Sequence, residues 1–244
     1  MFLKVAVSSL LSRKGSAIMT LMAISVAIFV LLGIEQIRQQ ARDSFASTVS
    51  GVDLIVGAKT GSLHLLLYSV FRIGSPTDNI SWQAYRDIAD SDDVAWAIPI
   101  SLGDSHDGYR VVGTTQAFFE HFSFGKKRSL AFFEGEAFEG TFDAVLGSEV
   151  ASALGYSVGT EIILAHGLAS TSFTKHDNQP FVVVGVLAPT GTPVDQTIHV
   201  RLEGIEAMHA GGSKVPIGAF APANPPPTDV WEPESSTAFM LGFK

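Results

Sequence analysis

From Gly15 to Ile34 the chain reads GSAIMTLMAISVAIFVLLGI, without one acidic or basic side chain. Twenty helical residues span about 30 Å at ~1.5 Å each, the thickness of a bilayer's hydrocarbon core. A cleaved secretory signal has an apolar run of about 7–15 residues ending at a small-x-small site. Here the run is longer and the following GIEQIRQQ offers no convincing cleavage site, so an uncleaved signal anchor is expected. This segment accounts for much of the chain's apolar character, 46% hydrophobic residues and a mean hydropathy of +0.29 over 244 residues.

Charge sets the expected orientation. The first 34 residues carry Lys4, Arg13 and Lys14 and no acid, which keeps the N-terminus cytoplasmic and sends the remainder outside. Of 16 basic residues 13 remain there against all 24 acidic ones, a net of −11. Nucleic-acid binding wants a basic face, so no nucleic-acid partner is expected. Zero cysteines exclude disulfides and thiol chemistry. The expected division is a cytoplasmic segment over 1–14, a membrane helix over 15–34, a helical stalk over 35–50 and an extracytoplasmic domain over 51–244. Residues 2–12 fit a short amphipathic helix on the membrane surface and the charged flank of an anchor equally well. The stalk rests on Ile34, Ile37, Ala41, Phe45 and Val49, a helical stripe that Gly51 would stop in a left-handed turn.

Beyond the stalk, strands and short helices alternate, giving an α+β fold class: one membrane helix followed by a mixed α/β domain. A strand over 52–56 runs into Gly57, and the apolar 63–73 run is helix or strand. Ser81 is placed to cap a helix over 82–90 with Trp82, Tyr85, Ile88 and Ala89 inward. Val94, Trp96, Ile98, Ile100 and Leu102 alternate as a half-buried strand. A turn over 104–108 leads to a strand over 109–113, and a short helix is expected over 116–122. Ser148 is expected to cap a helix over 149–154 that Gly155 ends, and Gly159 to turn the chain into a strand over 161–165. Residues 181–187 read as a strand buried on both faces, 198–202 as another, 203–210 as a helix, 223–233 as a proline-rich loop and 237–243 as a last strand.

Candidate chemistry is sparse. Gly57-Ala58-Lys59-Thr60-Gly61-Ser62 looks like a phosphate-binding loop, yet Gly-x-x-x-x-Gly-Lys-Ser/Thr would need glycine at 53 and 58, where Asp53 and Ala58 stand. No nucleotide site is expected. Gly147-Ser148-Glu149-Val150-Ala151 lacks the spacing of a nucleophile elbow. Seven histidines include no His-x-His and no ligand pair at helical spacing, so His106, His166 and His176 are not expected to hold metal. Glu134, Glu136 and Glu139 read as a solvated acidic loop rather than paired catalytic carboxylates. Neither an enzyme nor a cofactor emerges.

Several strings together resemble a family. GVDLIVGAKTGSLHLLLYSVFRIGSPTDNIS carries Gly57, Lys59 and Gly61. AIPISLGDSHDGYRVVGTT carries Gly103, Asp104, Gly108, Tyr109, Arg110 and Gly113. AVLGSEVASALGYSVGTEI carries Gly147, and FVVVGVLAPTGTPVDQTIHV carries Gly191, Pro193 and Asp195, followed by LEGIEAMHA. With the basic, apolar N-terminus, these resemble the first half of an ABC-transporter permease of the macrolide-exporter/FtsX-like (MacB-type) class. The resemblance implies a large mixed α/β domain between the first and second membrane helices, outside a bacterial cytoplasmic membrane. It implies a separate cytoplasmic ATPase as partner, a permease homodimer, contact with membrane lipid and with a periplasmic or envelope partner, and structural roles for the motif residues. ATPase closure would pass along the stalk and move the external domain. Such permeases continue with three further membrane helices, so the chain to Lys244 is either the N-terminal part of one or a protein working with one helix. The competing readings are a signal-anchored ligand-binding or sensor domain and, third, a membrane-tethered hydrolase.

Overall fold

α1 (Lys14–Thr48) is a single 35-residue helix, uninterrupted by proline. The computed structural model to which it belongs describes residues 12–166, 180–213 and 233–244. Residues 2–11 of the amphipathic segment, His176 and all but Pro233 of the proline-rich loop lie outside the described residues. Within α1, Lys14–Gln40 reaches a mean hydropathy of 2.7 and is long and apolar enough to cross a membrane. Its apolar side chains are exposed around the whole circumference, Phe29 79% and Leu31 69%. Ile34 and Ile37 are likewise exposed; the side chains of Ala41 and Phe45 lie outside the described residues. Where the apolar run ends, Glu35 accepts hydrogen bonds from Arg38 at 2.8 and 2.9 Å and from Gln39 at 3.1 Å. The chain divides into two compact units, Met1–Ala46 and Ser47–Lys244.

In the second unit Gly51 takes the expected left-handed conformation, φ +79°. β1 (Leu54–Gly57) and α2 (Ser62–Ser69) follow, so the first part of the ambiguous 63–73 run is helix. β2 (Ile80–Ser81) leads into α3 (Trp82–Ala89), where the Ser81 hydroxyl accepts the Ala84 N–H at 3.3 Å, the cap its position foretold. Ile88, expected inward, is 37% exposed. β3 (Val94–His106) and β4 (Tyr109–Thr114) form a hairpin. Its turn is only Asp107-Gly108, both at positive φ (46° and 86°), the mirror-image geometry that matches strand twist. The expected turn over 104–108 was therefore too wide; Asp104, Ser105 and His106 belong to the strand.

α4 (Ala117–His121), β5 (Ser123–Phe124), β6 (Arg128–Ser129), β7 (Phe132–Gly135), β8 (Asp143–Leu146) and α5 (Ser148–Leu154) come next. Ser148 opens α5 instead of capping it: Gly147 occupies the cap and donates its N–H to the Thr197 carbonyl at 2.9 Å. Gly155 closes α5 at φ +69°. The single strand expected over 161–165 is two, β9 (Glu161–Ile162) and β10 (Ala165–His166), because they pair with different neighbours. β11 (Phe181–Leu187), a 3₁₀ turn (Pro193–Gln196), β12 (Thr197–Arg201), α6 (Leu202–Ser213), β13 (Ser235–Ser236) and β14 (Ala238–Phe243) complete the described elements. Val182 is 37% exposed, so β11 is not buried on both faces throughout.

The main sheet runs β1-β14-β3-β4-β12-β8-β11-β7, with β10 beside β3 and β9 beside β11. β4/β12 and β8/β11 are parallel; the other pairs in it are antiparallel. β3 changes partner midway. Val94–Ile100 pairs with β14, and Ser101–His106 turns to β4 and β10. Thr237 secures the switch, its N–H on the Ile100 carbonyl and its hydroxyl accepting the Leu102 N–H, both at 3.0 Å. Side chains alternate across the sheet. Val112, Phe118, Phe138, Leu187 and Met240 fill one core, while Val111, Leu146, Phe181, Ile198 and Val200 fill another. Each such buried side chain contributes about 1.5–3 kcal/mol. The alternation that puts Val112 in the first core also puts His199, its partner in β12, beside Phe118.

Candidate functional site

A cleft of about 430 Å³ opens where three separated segments meet. They are the chain leaving α2 at Phe71–Gly74, the start of β4 at Gly108–Arg110, and Pro193, Gln196 and Thr197 around the 3₁₀ turn. The parallel β4/β12 ladder fixes the second and third, setting Arg110 opposite Thr197. At the α2 terminus, Val70 and Phe71 donate to the Leu66 carbonyl and Ile73 to that of Leu67. Arg72 makes this turn at φ +60°, a left-handed conformation that costs an L residue about 1–3 kcal/mol. Its Nη1 donates to the Ser69 carbonyl, and Arg110 Nη2 donates to the Gly74 carbonyl.

The 3₁₀ wall is built by Asp195. This buried carboxylate accepts the Thr190 N–H and hydroxyl, each at 2.8 Å, and the Gly191 N–H at 2.7 Å. Gly191 meets the turn's demand for positive φ (71°), and Pro193 sits where its missing N–H costs nothing. Gly147 packs behind, close under the backbone carbonyls of Val194 and Asp195.

The cleft is cationic. Burial draws the Arg72 guanidinium down to about 10, with Arg110's like charge adding to the effect, and burial lowers Arg110 as well. Both keep their charge at neutral pH. No lining residue is acidic, and among the described residues no carboxylate pairs with either guanidinium. Beneath lies His199, fully buried and stacked on Phe118 at 4.7 Å. Burial, then Arg72's charge, push it down to about 3, so the ring stays neutral. Val145's backbone opposes this weakly, but neither ring nitrogen reaches hydrogen-bond geometry with a described group.

Of the residues singled out from sequence, Gly108, Tyr109, Arg110 and Pro193 line the cleft, while Asp195, Gly191 and Gly147 support its wall. Gly113 lies deeper in β4, where a β-carbon would meet Ile205. Gly103 and Asp104 sit in β3, the latter opposite His166 in β10. Gly57, Lys59 and Gly61 form another place. Gly57 ends β1 against Leu65 and Tyr68 of α2, Lys59 is exposed, and Gly61 precedes α2. His106 is tied into the hairpin tip, its Nδ1 donating to the Ile163 carbonyl at 2.7 Å and its Nε2 3.1 Å from the Tyr156 hydroxyl. Glu134, Glu136 and Glu139 are exposed. Among the described residues no group of three or more side chains could hold a metal ion. Arg72 went unrecognised, although it is the one cation in the apolar 63–73 run.

Residues 17–214 match the family model of the MacB-like periplasmic core domain. The chain is also similar to two solved structures. One is the extracellular domain of the noncanonic ABC-type transporter YknZ from Gram-positive bacteria: 11% identity, 68% of this chain and 74% of that chain covered, TM-score 0.39. The other is the periplasmic region of MacB from Actinobacillus actinomycetemcomitans: 8% identity, 80% and 77% covered, TM-score 0.45. No curated protein matches the chain significantly. Since the matched stretch reaches from within α1 to the end of α6 and takes in the whole sheet except β14, the chain belongs to the family of MacB-like periplasmic core domains.

Proposed function

We propose that this chain is a permease component of an ATP-driven ABC transporter, or the N-terminal part of one. In this reading α1 crosses the cytoplasmic membrane with its N-terminus inside. A cytoplasmic ATPase supplies the work, a second permease copy supplies a facing helix, and the extracytoplasmic domain moves as the output. Export or envelope remodelling is the purpose that such a movement serves. Residues 15–34 span the bilayer, 35–50 form the stalk and 51–244 the moving domain. The chain's own residues perform no hydrolysis.

One observation carries the proposal. α1 runs unbroken from Lys14 to Thr48, about 20 Å longer than a bilayer core requires at ~1.5 Å per residue. A passive anchor needs no such extension, whereas a transmission rod does. Purifying the intact gene product from its native membrane, with identification of co-purifying proteins, tests this. A stoichiometric ATPase, and domain movement on adding ATP, are expected. A homogeneous chain with no ATPase and no response to ATP would overturn it.

A further inference from the structure

We propose that the cleft between Arg72 and Arg110 is a binding site for a small anion carrying a phosphate or carboxylate group. The inference stands on the domain alone and does not depend on the ATPase coupling.

Two like charges are held near each other in a half-buried cleft with no acidic residue in its lining. Such an arrangement is unfavourable until a counter-charge arrives. Each guanidinium has five N–H donors and spends one on a backbone carbonyl, Ser69 for Arg72 and Gly74 for Arg110. Those bonds orient the side chains and leave most donors unspent. Planar donor forks of this kind match carboxylate and phosphate oxygens, two bonds at a time. The volume, about 430 Å³, falls in the range of small-molecule sites.

The backbone points the same way. Arg72 holds a left-handed conformation, φ +60°, where glycine would be easier, and that turn brings its side chain to the cleft. A loop that needed only to reverse direction would not favour arginine there. Pinning the Ser69 and Gly74 carbonyls would need a donor, not a charge. Thr197 and Gln196 are otherwise engaged, with the Pro193 carbonyl and Glu149, so the two arginines are the recognising groups.

The test uses the full chain in a neutral detergent, titrated with inorganic phosphate, succinate, and dihexanoyl phosphatidylglycerol below its micellar concentration. Calorimetry and thermal unfolding read the binding. At least one probe should bind saturably and raise the melting temperature as its concentration passes the dissociation constant. Saturation by phosphate or succinate marks a soluble anion; response to the phosphatidylglycerol alone marks a lipid headgroup. Arg72→Gln and Arg110→Gln should each weaken binding about tenfold or more, the worth of a charge-assisted bond. Arg128→Gln, at a cation stacked on Phe124 elsewhere, should leave it unchanged. Should the glutamine variants unfold, Arg110→Lys keeps the charge but loses the fork, and a several-fold weakening at unchanged melting temperature is then expected. Absence of saturable binding for all three probes, or undiminished affinity in the folded Arg110 variants, overturns the proposal.

Discussion

Gly147 lies so close beneath Asp195 that a β-carbon on it would stand 2.4 Å from the Asp195 carbonyl oxygen and 2.2 Å from that of Val194. Both obstacles are backbone, so neither can swing aside. Gly147→Ala must push the 3₁₀ turn off the end of β8, at a cost of about 1–3 kcal/mol. The full chain should melt several degrees lower, and the 3₁₀ wall of the cleft should move. An unchanged melting temperature would show that the turn yields freely.

His199 gives the domain an acid sensitivity. Its folded pKa, about 3, lies below its ordinary 6.5, so the unfolded chain binds the proton more readily. The stability that depends on a neutral ring is complete above pH 6.5 and is lost as pH falls towards 3. Lowering the pH from 6.5 to 4.5 should cost about 2–3 kcal/mol through this residue. His199→Leu exchanges two unpartnered buried nitrogens for methyl groups, so at pH 7 it should lie within about 1 kcal/mol of the original protein. Unfolding midpoints in urea at pH 7 and pH 4.5 measure both. Equal acid losses in the two proteins would exclude His199 as the source.

The rod reading of α1 has its own test at Gln39. A proline there removes a backbone hydrogen bond and clashes with the preceding turn, costing ~3 kcal/mol or more and kinking the helix. In the assembled transporter Gln39→Pro should abolish ATP-dependent function while expression and ATPase binding persist. Gln39→Leu, a good helix former, should leave function intact. Normal transport by an assembled Gln39→Pro protein would rule out a stiff connection.

Orientation can be checked separately. Lys14–Gln40 is the candidate span; Lys14 opens it, and Lys4 and Arg13 precede it in the sequence. A fluorescent reporter active only in the cytoplasm, fused after Gly103, should therefore stay dark. Bright emission would place the domain on the other side of the membrane.

Local signals in the sequence were read well where one residue determines the geometry. Ser81 had a free hydroxyl ahead of an amphipathic turn, and it caps α3. The alternation in 94–102 and a turn before residue 109 pointed to the β3–β4 hairpin, but the turn was drawn over 104–108, and the strand runs four residues further than its apolar pattern because Asp104 and Ser105 are buried beside β10. Ser148 misled, since the cap position was taken by Gly147, whose small size answers to the distant 3₁₀ turn. The same distance hid the cleft. Its walls come from 71–74, 108–110 and 193–197, and only the parallel β4/β12 pairing brings the last two together. Arg110 and Pro193 were visible as motif residues, but that they face Arg72 is a property of the tertiary fold.

β1 lies antiparallel to β14, with Leu54 opposite Leu241, and Asp53 closes the pair by donating its N–H to the Leu241 carbonyl and accepting the Phe243 N–H, both at 2.9 Å. β1 and β14, far apart in the chain, are thus riveted side by side at one margin of the sheet. A pull directed along the β1 axis would load that two-strand seam lengthwise, in shear, where its hydrogen bonds resist together instead of unzipping one at a time. Under the proposed function, the far margin, from β8 to β7, would then follow as cargo. Weakening the seam with Asp53→Ala would turn a firm handle into a slipping one without altering the cleft.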